Sequence, residues 1–366
     1  MNQARPIFIA VVGTVGVPGN YGGFETLAQN LVEYHKNIAA DAKLSIYCSS
    51  RSYSIRPPRY LDATLRYIPL HPNGKQAMFY DMWSILDAVF RGADVVLLLG
   101  HGGSFVLPLV RLFFRVRTIT NIDGIEWKRS KWSRFARFVI RNSERFAIRN
   151  SDVIIADNEA IAEYVHAEFG TNCHIIAYGG DHALATPPDA AALPPLPSRY
   201  ALALCRIEPE NNVGMILEAF AAMPGQPLVF VGNWNSSDYG RGLKARYGAS
   251  PGLHLLDPIY APGALRALRD RAWLYVHGHS AGGTNPSLVE MMHFGIPVAA
   301  HGCNFNRYTT EGKARYFESA PELMHVVANY DPESSQEIGS AMSRIARSRY
   351  TWEAIGRAYF DLMLQP

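Results

Sequence analysis

Cysteine is scarce in this sequence: four in 366 residues, Cys48, Cys173, Cys205 and Cys303, far apart and with no CxxC pair. That excludes a disulfide framework or a cysteine-built zinc site as the organising device, and buried thiols in a reducing compartment are the expectation. Excess charge is missing too: a net charge of +3 is too small to imply a nucleic-acid partner. Long apolar runs are absent. The stretches 95–99 and 105–114 are interrupted by or end at Gly, Pro, His or Arg, and neither reads as a membrane-spanning helix. Residues 1–6 carry no secretory pattern, so a cytoplasmic location is expected. What is present is ordinary globular composition, 48% apolar and 18% charged, with material for a large core and a length that suggests about two domains.

Short buried-type runs alternate with helical patterns. Strands are expected at 7–12, 43–48, 65–69, 94–99, 118–122 and 153–156, and helices after Gly23 and over 78–90. The segment 183–198 is rich in Ala and Pro and reads as a connection. The pattern then restarts, with strands at 200–204, 228–231, 254–256, 273–276 and 297–300 and helices at 213–222, 288–294 and 352–364. Alternating βα units predict an α/β chain of two doubly wound Rossmann-like domains. The expected division is 1–182, the connection 183–198, a second domain 199–348, and a last helix over 349–366 that crosses back to the first domain. Ligands of such sheets sit beyond the carboxyl ends of the strands, here in a cleft between the domains.

Four segments carry candidate chemistry. Gly13 to Glu25 (GTVGVPGNYGGFE) follows a strand and opens a helix, where glycines allow close approach to an anion. Its spacing is not GxGxxG and no acidic residue ends the next strand, so a dinucleotide fingerprint fails. His279 to Glu290 (HSAGGTNPSLVE) also joins a strand to a helix, with Pro286 suited to the first turn. Amides at Ser287 and Leu288 would face an anion such as a diphosphate, and Glu290, one turn in, would accept hydrogen bonds from ribose hydroxyls. The alternative is an ordinary helix capped by Thr284 or Asn285. Arg206, in CRIEPENN, leaves a strand where ligands bind and could stabilise a departing diphosphate. Asp123 and Glu126, in NIDGIEWKR, would face the cleft from the first domain, either one able to orient or deprotonate a hydroxyl.

A fifth feature is electrostatic. Between Lys128 and Arg149 eight basic residues stand against one acid, Glu144, and Arg134, Arg137, Arg141 and Arg145 recur at helical spacing among Phe135, Phe138 and Phe146. Such a helix suits the surface of an anionic membrane. No recognition module supports nucleic acid.

Together these residues resemble the retaining glycosyltransferases of family four, in particular the bacterial rhamnosyltransferase-like group of surface polysaccharide synthesis. The resemblance rests on GTVGVPGNYGGFET (13–26), DGIEWKR (123–129), RIEPENN (206–212) and HGHSAGGTNPSLVE (277–290). It implies a GT-B fold, no metal (the sequence has no DxD motif), and a dTDP- or UDP-sugar donor with rhamnose as first guess. It also implies a glycan or polyprenyl-diphosphate-linked acceptor and a place on the inner face of the plasma membrane. Residue by residue, it implies that Arg206 contacts the diphosphate, that Gly283, Thr284, Asn285, Ser287 and Leu288 form its cradle, and that Glu290 holds the ribose. Gly22 and Gly23 would approach the phosphates, and Asp123 stands where many relatives have a histidine. The sequence departs from the family at two places: Asn211 replaces a lysine five residues after the arginine, and Gly282 replaces the first of two glutamates. Both read as adaptation to the donor. Two other readings stand beside this one, a nucleotide-sugar epimerase on the same architecture and a binding subunit without turnover.

Overall fold

In the computed structural model, which describes residues 5–19, 22–38, 41–122, 124–125, 127 and 132–365, the chain divides into two units. One comprises 1–177 with 352–366, the other 178–351.

The first unit runs β1 (Ile7–Val12), α1 (Gly23–Ile38), β2 (Ala42–Ser49), β3 (Arg59–Tyr60), β4 (Ala63–Ile68), α2 (Ala77–Phe90), β5 (Val95–Leu99), α3 (Leu107–Phe113), β6 (Arg117–Ile122), α4 (Arg134–Asn150), β7 (Val153–Ala156), α5 (Glu159–Phe169) and β8 (His174–Ile175). Its eight strands lie in the order β3-β4-β2-β1-β5-β6-β7-β8, parallel except for the β3–β4 pair. The strands buried on both faces are the continuous apolar runs, such as the wholly buried VVLLL of β5. Ala10, Val12, Val96 and Leu98 face a core shared with Tyr80, Ile85 and Ala88 of α2 and Leu107 and Val110 of α3, which places α2 and α3 on one face of the sheet. Helix α4 packs beside α3.

The second unit runs β9 (Tyr200–Leu204), α6 (Val213–Ala221), β10 (Leu228–Val231), α7 (Asp238–Tyr247), β11 (Leu253–Leu256), α8 (Pro262–Asp270), β12 (Ala272–His277), α9 (Pro286–Met292), β13 (Val298–His301), α10 (Asn304–Thr309), β14 (Arg315–Phe317), α11 (Ala320–Ala328) and α12 (Pro332–Arg349). Its six strands, ordered β11-β10-β9-β12-β13-β14, are all parallel. Trp234, fully buried, stands edge-on to Phe230 and donates its indole N–H to the carbonyl of Leu256 at 2.9 Å. The Pro- and Ala-rich stretch 183–198 lies against α8 in this unit: Asp189 donates its amide to Gly263 and Arg271 reaches the carbonyl of Pro197.

The last helix, α13 (Trp352–Met363), belongs to the first unit and packs along α1. Tyr359, fully buried, receives a hydrogen bond from Asn121 at the end of β6, and Phe360 packs against Tyr34 and His35. The two helices are in close contact at Gly356, where an added Cβ would lie 2.4 Å from the ring of Tyr34. Gly356→Ala is therefore expected to destabilise the first unit by about 1–3 kcal/mol through overpacking, despite the better helix propensity of alanine. Urea unfolding followed by circular dichroism checks this; an unchanged or raised midpoint would show that the α1–α13 contact adjusts freely.

Candidate functional site

In each sheet the strand order reverses beside the first strand of the unit, and a doubly wound sheet opens its ligand crevice at that reversal. In the second unit this point lies between β9 and β12, which are paired neighbours. The loops leaving those two strands are bound to one another. Ser280 donates its amide and its hydroxyl to the carbonyl of Glu210, at 3.0 and 2.8 Å, and Asn212 Nδ2 donates to the carbonyl of Gly278 at 2.8 Å. The contact is tight: a Cβ on Gly278 would lie 2.2 Å from the carbonyl oxygen of Asn211. The RIEPENN and HGHSAGGTNPSLVE segments thus form one surface at the carboxyl end of the sheet.

Arg206 is exposed there, with Glu208 at 3.7 Å as its ion-pair partner among the described residues. At that distance and exposure the pairing is weak, which leaves the guanidinium available to a ligand. Asn211 is buried and turns inward, donating Nδ2 to the carbonyl of Arg206 at 2.7 Å. The residue that replaces a lysine in the resembled family therefore braces the loop that carries Arg206.

Before α9, Gly282 has φ of +121° and open space where a side chain would be. Gly283 is half-buried and Thr284 buried. Asn285 caps the helix: its Oδ1 accepts the amide of Ser287 at 3.1 Å and the hydroxyl of Ser287 at 2.7 Å, and its carbonyl accepts the amide of Leu288 at 3.0 Å. Both amides expected to face an anion are turned onto Asn285. Glu290 lies largely buried between Arg269 and His182 of its own unit. Oε2 is ion-paired with Arg269, itself buried, and Oε1 is 3.3 Å from His182 Nε2. Burial alone would raise this carboxyl, but the charge of Arg269 and the bonds from His182 and Arg269 outweigh it and hold Glu290 below the usual glutamate range. An ionised carboxylate keeps further lone pairs when each oxygen has one partner.

Three histidines gather beside this surface without having been singled out in the sequence. His277 ends β12, His301 ends β13, and the ring of His279 stacks on His277 with centroids 4.3 Å apart. His277 is fully buried, and burial, then His279 and His301, push it well below the usual histidine value, so it is neutral. Its Nδ1 lies 3.3 Å from the hydroxyl of Tyr275, which donates to Ser287 Oγ at 3.0 Å, and its Nε2 has no partner among the described residues. The signal for this chain was the HGH spacing at a strand end. Nothing in the sequence marked Arg269 or His182 as partners of Glu290.

In the first unit the loop after β1 is closed from within. Glu25 Oε1 accepts the amide of Val15 at 2.9 Å and the hydroxyl of Thr14 at 3.3 Å, and Gln29 accepts the amide of Gly19. Gly22 has φ of +128°, and a Cβ there would run into Glu25 Oε2; only glycine suits both demands. Gly23 opens α1. Asp81 of α2 lies against Gly102 and Gly103, in the loop after β5, and burial pushes its carboxyl up to about 8. Asp123 and Glu126 lie outside the described residues. Among the described residues no group of three or more His, Cys, Asp and Glu side chains is disposed to hold a metal ion.

A family profile described as "Domain of unknown function (DUF1972)" matches residues 5–181. No curated protein matches the chain. Among solved structures, sucrose-phosphate synthase from Thermosynechococcus elongatus is 16% identical over 97% of this chain and 98% of its own, with a TM-score of 0.81. A glycosyltransferase from Rickettsia africae is 10% identical, covering 99% and 98%, with a TM-score of 0.70. Anabaena HepE, solved in complex with UDP and glucose, is 15% identical, covering 98% and 99%, with a TM-score of 0.69. The fold is that of these proteins: GT-B, with two parallel-sheet Rossmann-like units.

Proposed function

We propose that the chain is a glycosyltransferase that moves a sugar from a nucleoside diphosphate to an acceptor hydroxyl. The observation that carries the reading is the placement of Arg206: exposed, weakly paired and at the strand-order reversal of the second unit, in a chain that shares its fold with three proteins of this chemistry or ligand class. The diphosphate would lie along Arg206 and the backbone of Gly282 and Gly283, since Asn285 takes the amides of Ser287 and Leu288. A guanidinium aimed at the leaving diphosphate acts where negative charge develops, which is where electrostatics help most. Glu290, fixed by Arg269 and His182, would offer its remaining lone pairs to the ribose.

The finer reading is retaining, metal-independent transfer from a dTDP- or UDP-sugar, rhamnose first, to a glycan or polyprenyl-diphosphate-linked acceptor in surface polysaccharide synthesis. Asp123 or Glu126 would orient the acceptor, and the basic segment 128–149 would bring the enzyme to an anionic membrane surface. No helix among the described residues is long and apolar enough to cross a membrane. The engaged amides and Asn211 favour one rival, a subunit that binds the donor without turning it over.

One assay separates them. The protein is incubated with a panel of nucleotide sugars and a membrane-extract acceptor, with and without EDTA, and the product's anomeric configuration is read by NMR. Acceptor-dependent transfer with retained configuration and no effect of EDTA is expected. Binding without transfer to any acceptor fits the rival, and inverted configuration or loss in EDTA would overturn the finer reading.

A further inference from the structure

The surface of the first unit holds more than the basic helix. Nine of the fourteen large apolar side chains exposed among the described residues lie on three consecutive helices, α2, α3 and α4. Helix α4 contributes Phe135, Phe138 and Phe146; α3 contributes Leu109, Leu112 and Phe113, all more than half exposed; α2 contributes Phe79, Trp83 and Phe90. The helices form one layer. Phe90 at the end of α2 stands edge-on to Phe114 just beyond α3, and α3 packs on α4.

The exposed charge on this layer is mainly positive, with Arg91 paired to Asp87 and Arg141 to Glu168 of α5. Arg111, Arg115, Arg134, Arg145 and Arg149 are exposed. The three helices hold only three acids. Glu144 is fully buried and bonded to Tyr164, Asp87 is bonded to Arg91 and Tyr47, and Asp81 is partly buried, with burial lifting its carboxyl to about 8. Beside α3 a cavity of about 470 Å³ opens among Arg111, Arg115 and Arg117. The acid on its wall, Asp152, is engaged by the amide and hydroxyl of Thr118.

An apolar patch of this breadth marks an interaction surface. An excess of exposed cations over acids selects a negatively charged partner, and aromatic and leucine side chains between them select one with an apolar interior. We infer that the α2–α3–α4 layer docks into an anionic lipid bilayer, inserting Leu112, Phe113 and Trp83 while the arginines meet lipid phosphates. This rests on the proposed membrane location but changes its nature, from adsorption of one basic helix to insertion of a three-helix face.

The test uses the full chain and vesicles of phosphatidylcholine with or without phosphatidylglycerol, some carrying brominated acyl chains. Wild type should float with the phosphatidylglycerol vesicles alone, keep part of its binding at high salt, and show bromine quenching that Trp83→Phe removes. Arg111→Glu with Arg115→Glu should weaken binding by at least about tenfold. Leu112→Ser with Phe113→Ser should weaken it about tenfold and abolish the salt-resistant part. Transfer to a water-soluble acceptor should persist in both variants, whereas a wild-type chain that transfers sugar but binds no vesicles would sink this inference and leave the proposed function standing. Absence of vesicle binding, unchanged binding by the serine variant, or equally tight, serine-insensitive binding to RNA would each overturn it.

Discussion

Arg206→Ala is expected to lower turnover of the proposed sugar transfer by roughly 10²–10³-fold, the effect of deleting one donor aimed at developing charge. It should leave folding nearly untouched. The side chain is exposed and its nearest ionic neighbour, Glu208, is 3.7 Å away, and surface pairs of that kind contribute about 0–1 kcal/mol. Arg206→Lys should recover only part of the rate, because an ammonium keeps the charge but loses the planar fork. Steady-state kinetics with thermal melts of all three proteins decide the matter. A full-rate alanine variant would remove Arg206 from the chemistry, and a rate loss matched by a lost fold would make its role structural.

The second large effect is of the opposite kind. Arg269→Ala should lower the stability of the second unit by about 3–5 kcal/mol, because it strands the buried carboxylate of Glu290. For a unit of this size that is a fall of roughly ten degrees in melting temperature. His182, partly exposed, is bonded to the other carboxylate oxygen and leaves Oε2 without the guanidinium. Replacing both partners, Arg269→Met with Glu290→Leu, should recover most of the loss, since a buried pair contributes little net stability over an apolar one. The pH dependence has a definite sign. Glu290 is held below its ordinary value, so its contribution is fully present above the ordinary carboxylate range and is lost as pH falls through the folded value. In Arg269→Ala the largest offset to burial is lost and the carboxyl rises. Proton uptake relieves the variant first, and its deficit against wild type is largest at neutral pH and shrinks on acidification. A constant deficit between neutral and acidic pH would show that the pair does not carry the effect.

These two arginines also show what could be read in the sequence. Arg206 was visible because it follows the apolar strand run YALAL after a single residue, Cys205, and the end of such a strand is a ligand position. Arg269 was not, because its partner lies on another helix and no local pattern links them. Continuous apolar runs located β5, β7, β9 and β10 with little error, since strands buried on both faces leave no polar alternation to misread. Two-residue β3 and β8 carry no period. The stretch 105–114 read as a broken apolar run and contains α3, whose Pro108 sits in the first turn, where proline is tolerated. At α9 the local capping chemistry was legible: Asn285 is the cap, and the same bonds turn the Ser287 and Leu288 amides inward. The single acid of the basic segment, Glu144, is buried on α4, which leaves the exposed face more positive than its composition suggests.

The most direct test of the central claim is a calorimetric titration of the chain and of Arg206→Ala with UDP, dTDP, GDP and ADP and their sugar conjugates. The account predicts saturable binding of one uridine or thymidine ligand at a single site, weakened at least about tenfold in Arg206→Ala, as loss of a charge-assisted bond requires. Binding of none of these ligands, or equal affinity in the variant, would contradict it.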